Sequence, residues 1–270
     1  MPIIWSKHMI QEWLMEQQTP VFWLLDQQGF KQVIAANNGV VFDDTLIVFH
    51  GETFAPVMSL SPWLVPVTEK VLQLSDEQFQ QGIFLTSNSS ATELLSHLQS
   101  LLIAALEGEE VLFRFYDTEV ILPMLDAMLE HERNDFLGSV ERLATANKGT
   151  FRIWENTRMD DFVSRPTTWW KMQPYHLAPL YRTQVHAQVL ERRFWEKLPF
   201  VMEQIDEPYQ FIKTVLDEGI AFGLDPEQAE LLVLNSTIVH SFTSIDQIRD
   251  ALQLNQQELQ EIICIREKLA

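Results

Sequence analysis

The sequence predicts an α/β N-terminal lobe, a mixed or parallel sheet with flanking helices, followed by an all-helical lobe. Three observations carry this. Short apolar runs bounded by polar residues recur at 21–26, 46–49, 82–86 and 111–116, each the length of a buried strand. Helical spacings and capping signatures fall between several of them, the alternation of an α/β layer. From about residue 177 the pattern is helical throughout. The chain therefore divides into 1–154, a connection at 155–176 and a helical lobe at 177–270.

Element by element, residues 3–15 have helical spacing, and the run V-F-W-L-L at 21–25 reads as a strand. The prolines of S-P-W-L-V-P at 61–66 force an extended path. Ser90 and Glu93 form a capping box for a helix predicted to run to about Leu106, with Leu94, Leu98, Leu101 and Leu102 along its buried stripe. The segment 111–116 is apolar on both sides except at Arg114, which predicts a central strand of the same sheet as 82–86. Helices at about 119–129 and near Phe136 follow, then a strand at 151–154. In the second half, Leu177, Leu180, Tyr181, Val185, Leu190, Phe194 and Leu198 predict one long amphipathic helix. Pro208, Asp225-Pro226-x-Gln228, Ser244-x-x-Gln247 and Asn255-x-x-Glu258 mark four further helix starts.

Composition narrows the function. Hydrophobic residues make up 46% of the 270 and charged residues 21%, a globular balance. A net charge of −19 argues against nucleic acid and against an anionic membrane surface, since nothing would neutralise their phosphates. The charge is uneven. Residues 151–200 carry 8 basic against 5 acidic side chains, whereas 1–150 and 201–270 are net −13 and −9. That middle segment also holds four of the eight tryptophans. One cysteine, Cys264, cannot form an internal disulfide and is predicted to be a buried thiol. The segment M-P-I-I-W-S-K-H lacks the features of a secretory leader, and a cytoplasmic location is expected.

Motifs for chemistry are missing. The nine glycines build neither a dinucleotide nor a phosphate loop, and no G-x-S-x-G elbow occurs. Glu130-His131-Glu132 is read as a solvated helix face, because consecutive helical residues point about 100° apart and cannot share an ion. His97 lies beside a buried stripe and is read as a hydrogen-bonded structural histidine. Arg114, placed in a central strand, must be paired, and Asp26 and Asp117 at strand ends are its natural partners. A second reading of Arg114 is a strand-end site that grips a partner's carboxylate. Trp169, Trp170 and Tyr175, with Arg182, Arg192 and Arg193, are the candidate partner-binding residues, expected to act where the two lobes join.

The spaced elements G-I-F-L-T-S at 82–87, H-L at 97–98 and L-F-R-F-Y-D at 112–117 resemble the core motif of the domain found in type VI secretion adaptor chaperones, the Tap family. The likeness extends to L-L-D at 24–26, P-W-L-V at 62–65, Gly138, Val140 and I-A-F-G at 220–223, so it covers about residues 20–250. Thr118 stands where that family often has proline. The resemblance implies a non-enzymatic cytoplasmic adaptor with no cofactor and no metal. Such a protein binds one toxic effector and helps place it on the spike (tip) protein of the secretion machine. It also implies that Asp26, Gly82, His97, Arg114 and Asp117 form a structural core motif. The alternative is an enzyme whose site is assembled from scattered residues such as His97, Arg114 and Asp117.

Overall fold

The computed structural model describes residues 9–158, 165, 168–241 and 243–269. It divides into two compact units, Met1–Leu180 and Tyr181–Ala270. The sequence expectations for residues 3–8, and for 159–164, 166 and 167 of the connection, lie outside the described residues.

The first unit is built on strands β1 (Val21–Leu25), β2 (Leu46–Ile47), β3 (Trp63–Pro66), β4 (Ile83–Thr86), β5 (Ile103–Leu106), β6 (Glu109–Leu112), β7 (Arg142–Thr145) and β8 (Arg152–Glu155). Its helices are α1 (Met9–Glu16), α2 (Gln27–Ala36), α3 (Gly51–Phe54), α4 (Glu69–Leu72), α5 (Ala91–Leu101), α6 (Thr118–Ala127), α7 (Glu130–Leu137) and α8 (Pro174–Leu177). Among the described residues, six strands form one sheet in the order β2-β3-β1-β4-β7-β8. Every neighbouring pair is antiparallel, so the expected parallel or mixed sheet is corrected.

The burial of β1 explains that misreading. Phe22 and Leu24 point to one face, where Leu94 and Leu98 of α5 and Met124 of α6 cover them. Trp23 and Leu25 point to the other, against Trp13 of α1 and Phe30 and Val33 of α2. All five residues of β1 are buried. A strand with no polar side reads like a parallel one, although here an antiparallel sheet is layered on both faces. The register keeps the layers apart, with Leu24 opposite Leu64 and Ile83, and Trp23 opposite Val65 and Phe84.

A second difference concerns residues 103–116. Helix α5 stops at Leu101, and residues 103–106 become β5 of a separate hairpin with β6. The hairpin turns on Glu107 and Gly108, both at positive φ (51° and 90°), the requirement of a two-residue type I′ turn. The expected strand at 111–116 is therefore shorter, earlier and in another sheet from β4. Residues 113–117 leave β6 as an irregular segment that leads into α6.

The second unit contains α9 (Thr183–Lys197), α10 (Pro199–Met202), α11 (Pro208–Ala221), α12 (Pro226–Ser241), α13 (Ile245–Leu252) and α14 (Gln256–Leu269). Leu190, Phe194, Ile212, Leu216, Val233, Ile248 and Ile262 meet in its core. The single helix expected over 177–198 is instead α8, a 3₁₀ turn at Ala178–Leu180 and then α9, because Pro179 cannot continue an α-helical ladder. The box at Asp225 forms as read: the Asp225 carboxylate accepts from the Gln228 amide at 2.8 Å, and Gln228 Oε1 accepts from the Asp225 amide at 3.3 Å. Cys264 is exposed, which corrects the expected buried thiol.

Candidate functional site

The core-motif residues are placed by what surrounds them in the chain. Phe113 and Phe115 are both buried, which turns the side chain between them outward. Arg114 is thus not a central-strand cation: its side chain is 59% exposed. Its guanidinium donates to Asp117 Oδ2 at 2.7 Å, so of its two expected partners the structure pairs it with Asp117. The other Asp117 oxygen accepts from the Glu119 amide at 3.0 Å and caps α6. Asp26 does the same for α2, accepting from the Gly29 amide at 2.7 Å.

Gly82 enters β4 at φ +67°, and a Cβ there would lie 2.4 Å from the Leu24 carbonyl oxygen. Only glycine satisfies both conditions. Asp26, Gly82, Tyr116 and Asp117, with Gln81 and Asn147, line one open, polar cleft of about 390 Å³. Burial pushes the Tyr116 hydroxyl above its ordinary pKa, Arg114 opposes that, and the carboxylates of Asp117 and Asp26 add to it. The cleft offers amides, carboxylates and one phenol, a set for hydrogen bonding.

His97 does not join this cluster. It faces an interior cavity lined by Leu24, Ile83, Leu98 and Phe136, while Asp117 lines the open cleft. The ring is 1% exposed, and Nε2 lies 2.8 Å from the Phe136 carbonyl oxygen, to which it donates. Burial pushes its pKa down to about 4; the backbone bond to Phe136 works against this, the charge of Arg165 adds to it, and a backbone bond to Leu137 again opposes. The imidazole is neutral at pH 7 and sealed from solvent.

The aromatic segment 169–176 is engaged within the first unit. The Trp170 amide region adds to the hairpin: Ala105 N–H donates to the Trp170 carbonyl at 2.9 Å, and Met172 N–H to the Ala105 carbonyl at 2.9 Å. The Trp170 ring is 4% exposed and stacks on His176, centroids 5.9 Å apart, so it offers no outward surface. Trp169 is half-buried, donates from Nε1 to Ser100 Oγ at 3.0 Å and lies under the Arg165 guanidinium. His176 Nδ1 accepts from the Gln173 amide at 3.1 Å, which leaves the proton on Nε2 to donate to Glu132 Oε2 at 3.1 Å. The Tyr175 hydroxyl bonds the other oxygen of Glu132. Burial alone would raise the Glu132 pKa, but the bonds from Tyr175, His176 and the Leu129 amide outweigh it and hold the carboxylate below its usual range. Glu132 is therefore turned inward rather than solvated, a correction to the reading of Glu130-His131-Glu132. Among the described residues no group of three or more His, Cys, Asp or Glu could hold a metal ion.

In the second unit, Arg182 is exposed at the N-terminal boundary of α9. Arg193 pairs with Glu230 at 2.6 Å, and the same carboxylate lies 3.5 Å from His186. Arg192 is exposed. Sequence reasoning missed three neighbours: Val185, expected in the buried stripe, is 54% exposed, Val189 is 46% and Trp195 42% exposed. A helical wheel separates them from the core stripe: Ala187, Leu190 and Phe194 lie together, Val185 and Val189 lie opposite in line with exposed Glu196, and Trp195 lies about 120° from Val189.

Residues 21–135 match the model of a family described as a domain of unknown function (DUF4123). No curated protein and no solved structure matches the chain. The matched span contains Asp26, Gly82, His97, Arg114 and Asp117 and ends before the second unit begins. No described helix is long and apolar enough to cross a membrane.

Proposed function

We propose that this protein is a cytoplasmic adaptor chaperone of type VI secretion, which binds one effector and helps load it onto the spike protein for export. One observation carries the reading: residues shared with the motif perform folding tasks. Asp26 and Asp117 cap helices, Gly82 permits a close backbone approach, and His97 is a neutral, sealed hydrogen-bond donor. A motif that maintains a scaffold suits a family that binds a protein; Asp26, Gly82 and Asp117 also line the open cleft, but Asp26 and Asp117 stand there as helix caps. His97, the residue an acid–base mechanism would need, lies in the interior while Asp117 lines the open cleft. The family match over residues 21–135 agrees with the sequence resemblance without extending to the second unit.

The test is co-expression of the full chain with the product of the adjacent effector-type gene. The expected result is a complex that survives affinity purification and gel filtration, together with loss of effector export, but not of spike assembly, in a strain lacking the adaptor. Export that continues unchanged in that strain would overturn the proposal.

A further inference from the structure

Strand β8 is an edge of the six-stranded sheet, and among the described residues its outward side is open. One bond fixes the direction of its backbone groups. Asn156 N–H donates to the Glu141 carbonyl at 2.8 Å, so residues 156, 154 and 152 direct their backbone groups to β7. The N–H and C=O of Ile153 and Glu155 therefore face away from the sheet, where no described residue pairs with them. After β8 the chain turns to α7: Thr157 N–H donates to Asn134 Oδ1 at 3.1 Å, and Arg158 and Arg165 both pair with Asp135. Natural edges are often guarded by charge. Here Arg152 is paired with Asp126 and Glu155 with Arg142 at 3.2 Å, so both charges of β8 are matched within the chain. Beside the edge, an open cavity of about 360 Å³ is lined by Leu122, Pro123, Ala127 and Pro179, with the Arg152–Asp126 pair as its polar wall. On the other face of the strand, Ile153 is 39% exposed.

We propose that β8 takes an extended segment of the effector as an added strand, with one apolar side chain in the cavity and the next against Ile153. The inference rests on the adaptor reading and names the surface that reading needs. Backbone chemistry decides the occupant's conformation. N–H and C=O groups repeating at every second residue of an edge are matched by another strand, and not by a helix, whose own groups are engaged internally. The cavity decides its side chains. Residues facing each other across a ladder share a face, so the partner residue opposite Arg152 points toward the cavity. There the ion pair is already satisfied and the remaining walls are apolar, which favours an aliphatic side chain over a polar one. A second copy of this chain is the poorer occupant. Two-fold antiparallel pairing of β8 through Ile153 and Glu155 sets Asn156, Trp154 or Arg158 opposite Arg152, depending on register. Asn156 and Arg158 are polar, and Trp154 is held in its own core, where Nε1 donates to Asp126 at 3.2 Å.

The test uses the full-length chain and the product of the adjacent effector-type gene. Ile153→Pro removes an outward N–H and leaves the ladder to β7 intact, a substitution that edge strands tolerate. Ala127→Phe fills the cavity from a half-buried position. Each is expected to bind about 10-fold or more weakly with a wild-type melting temperature, whereas Ile153→Val, which keeps the N–H, should bind like wild type. Amide hydrogen exchange needs no variant: the Ile153 and Glu155 amides should exchange fast in the free chain and slowly in the complex. If Ile153→Pro melts early, Ala127→Phe and the exchange measurement decide. Fast exchange at both amides in the complex, or wild-type affinity in a folded Ile153→Pro or Ala127→Phe chain, overturns the added strand while leaving the adaptor reading standing. A wild-type chain that does not bind the effector overturns the adaptor reading, and this inference with it. A free chain that sediments as a dimer, dispersed by Ile153→Pro, would show that a second copy is the occupant and overturn the proposal.

Discussion

His97 Nε2 lies 2.8 Å from the backbone carbonyl oxygen of Phe136, so a side chain of α5 closes a hydrogen bond onto α7 inside the core. Nε2 can donate with the ring charged or neutral, and the bond by itself favours the charged form; burial outweighs it and holds the ring neutral, with the pKa pushed down from 6.5 to about 4. Because the folded-state value lies below the unfolded one, the unfolded chain binds the extra proton between these limits. Stability is full above pH 6.5 and declines as pH falls toward 4, by about 3 kcal/mol in total. Urea denaturation from pH 4.5 to 7.5 should show this slope, and His97→Gln should reduce it. An unchanged slope in the variant would mean that other groups carry the acid sensitivity.

Gly82→Ala is expected to destabilise the first unit by about 2–4 kcal/mol, from the positive φ together with the approach of the new methyl to the Leu24 carbonyl. Thermal melting and soluble yield read this directly. A melt within a degree or two of wild type would show that the turn can relax.

Arg114→Ala should cost no more than about 1 kcal/mol, because the ion pair with Asp117 is largely solvated. A buried Arg114, as the sequence suggested, would instead have cost about 3–5 kcal/mol. If this folded variant loses effector binding in a pull-down, the guanidinium is itself a contact.

Trp170→Ala should cost about 3–5 kcal/mol, as expected for removing a buried indole from a packed core. Trp169→Ala should cost less, since its ring is only half-buried. A combined substitution of the pair therefore reports on folding before it reports on any partner, and chemical denaturation of the single variants separates the two rings.

What the sequence made legible was chiefly local. The capped start at Asp225, the box at Ser90 and the strands at β1 and β4 each depend on residues within a few positions, and each forms. What it concealed depended on distant neighbours. Strand direction was hidden because β1 is covered on both faces, and its composition could not separate the two arrangements. The hairpin of β5 and β6 was hidden because Ile103–Leu106 continues the apolar stripe of α5, and the Glu107-Gly108 turn was the cue that settled it. Arg114 was misplaced for the same reason: a true strand at 111–116 would have put its side chain in a layer, but the chain leaves β6 at Leu112. For the candidate site, the motif residues were named from the resemblance, while the cleft that gathers Asp26, Gly82 and Asp117 required the fold.

The double-sided cover of β1 bears on how the chain is made. Val21–Leu25 is synthesised before its partners β3 and β4, which follow at residues 63 and 83, and β8 of the same sheet follows only at residue 152. For that interval the face with Phe22 and Leu24 lacks its cover, because α5 and α6 follow only at residues 91 and 118, whereas α1 and α2 flank β1 in the chain and supply the other layer. Pairings of such long sequence separation close slowly, because loop entropy must be spent before contacts form. Truncation before residue 152 should therefore give aggregates rather than a smaller folded protein.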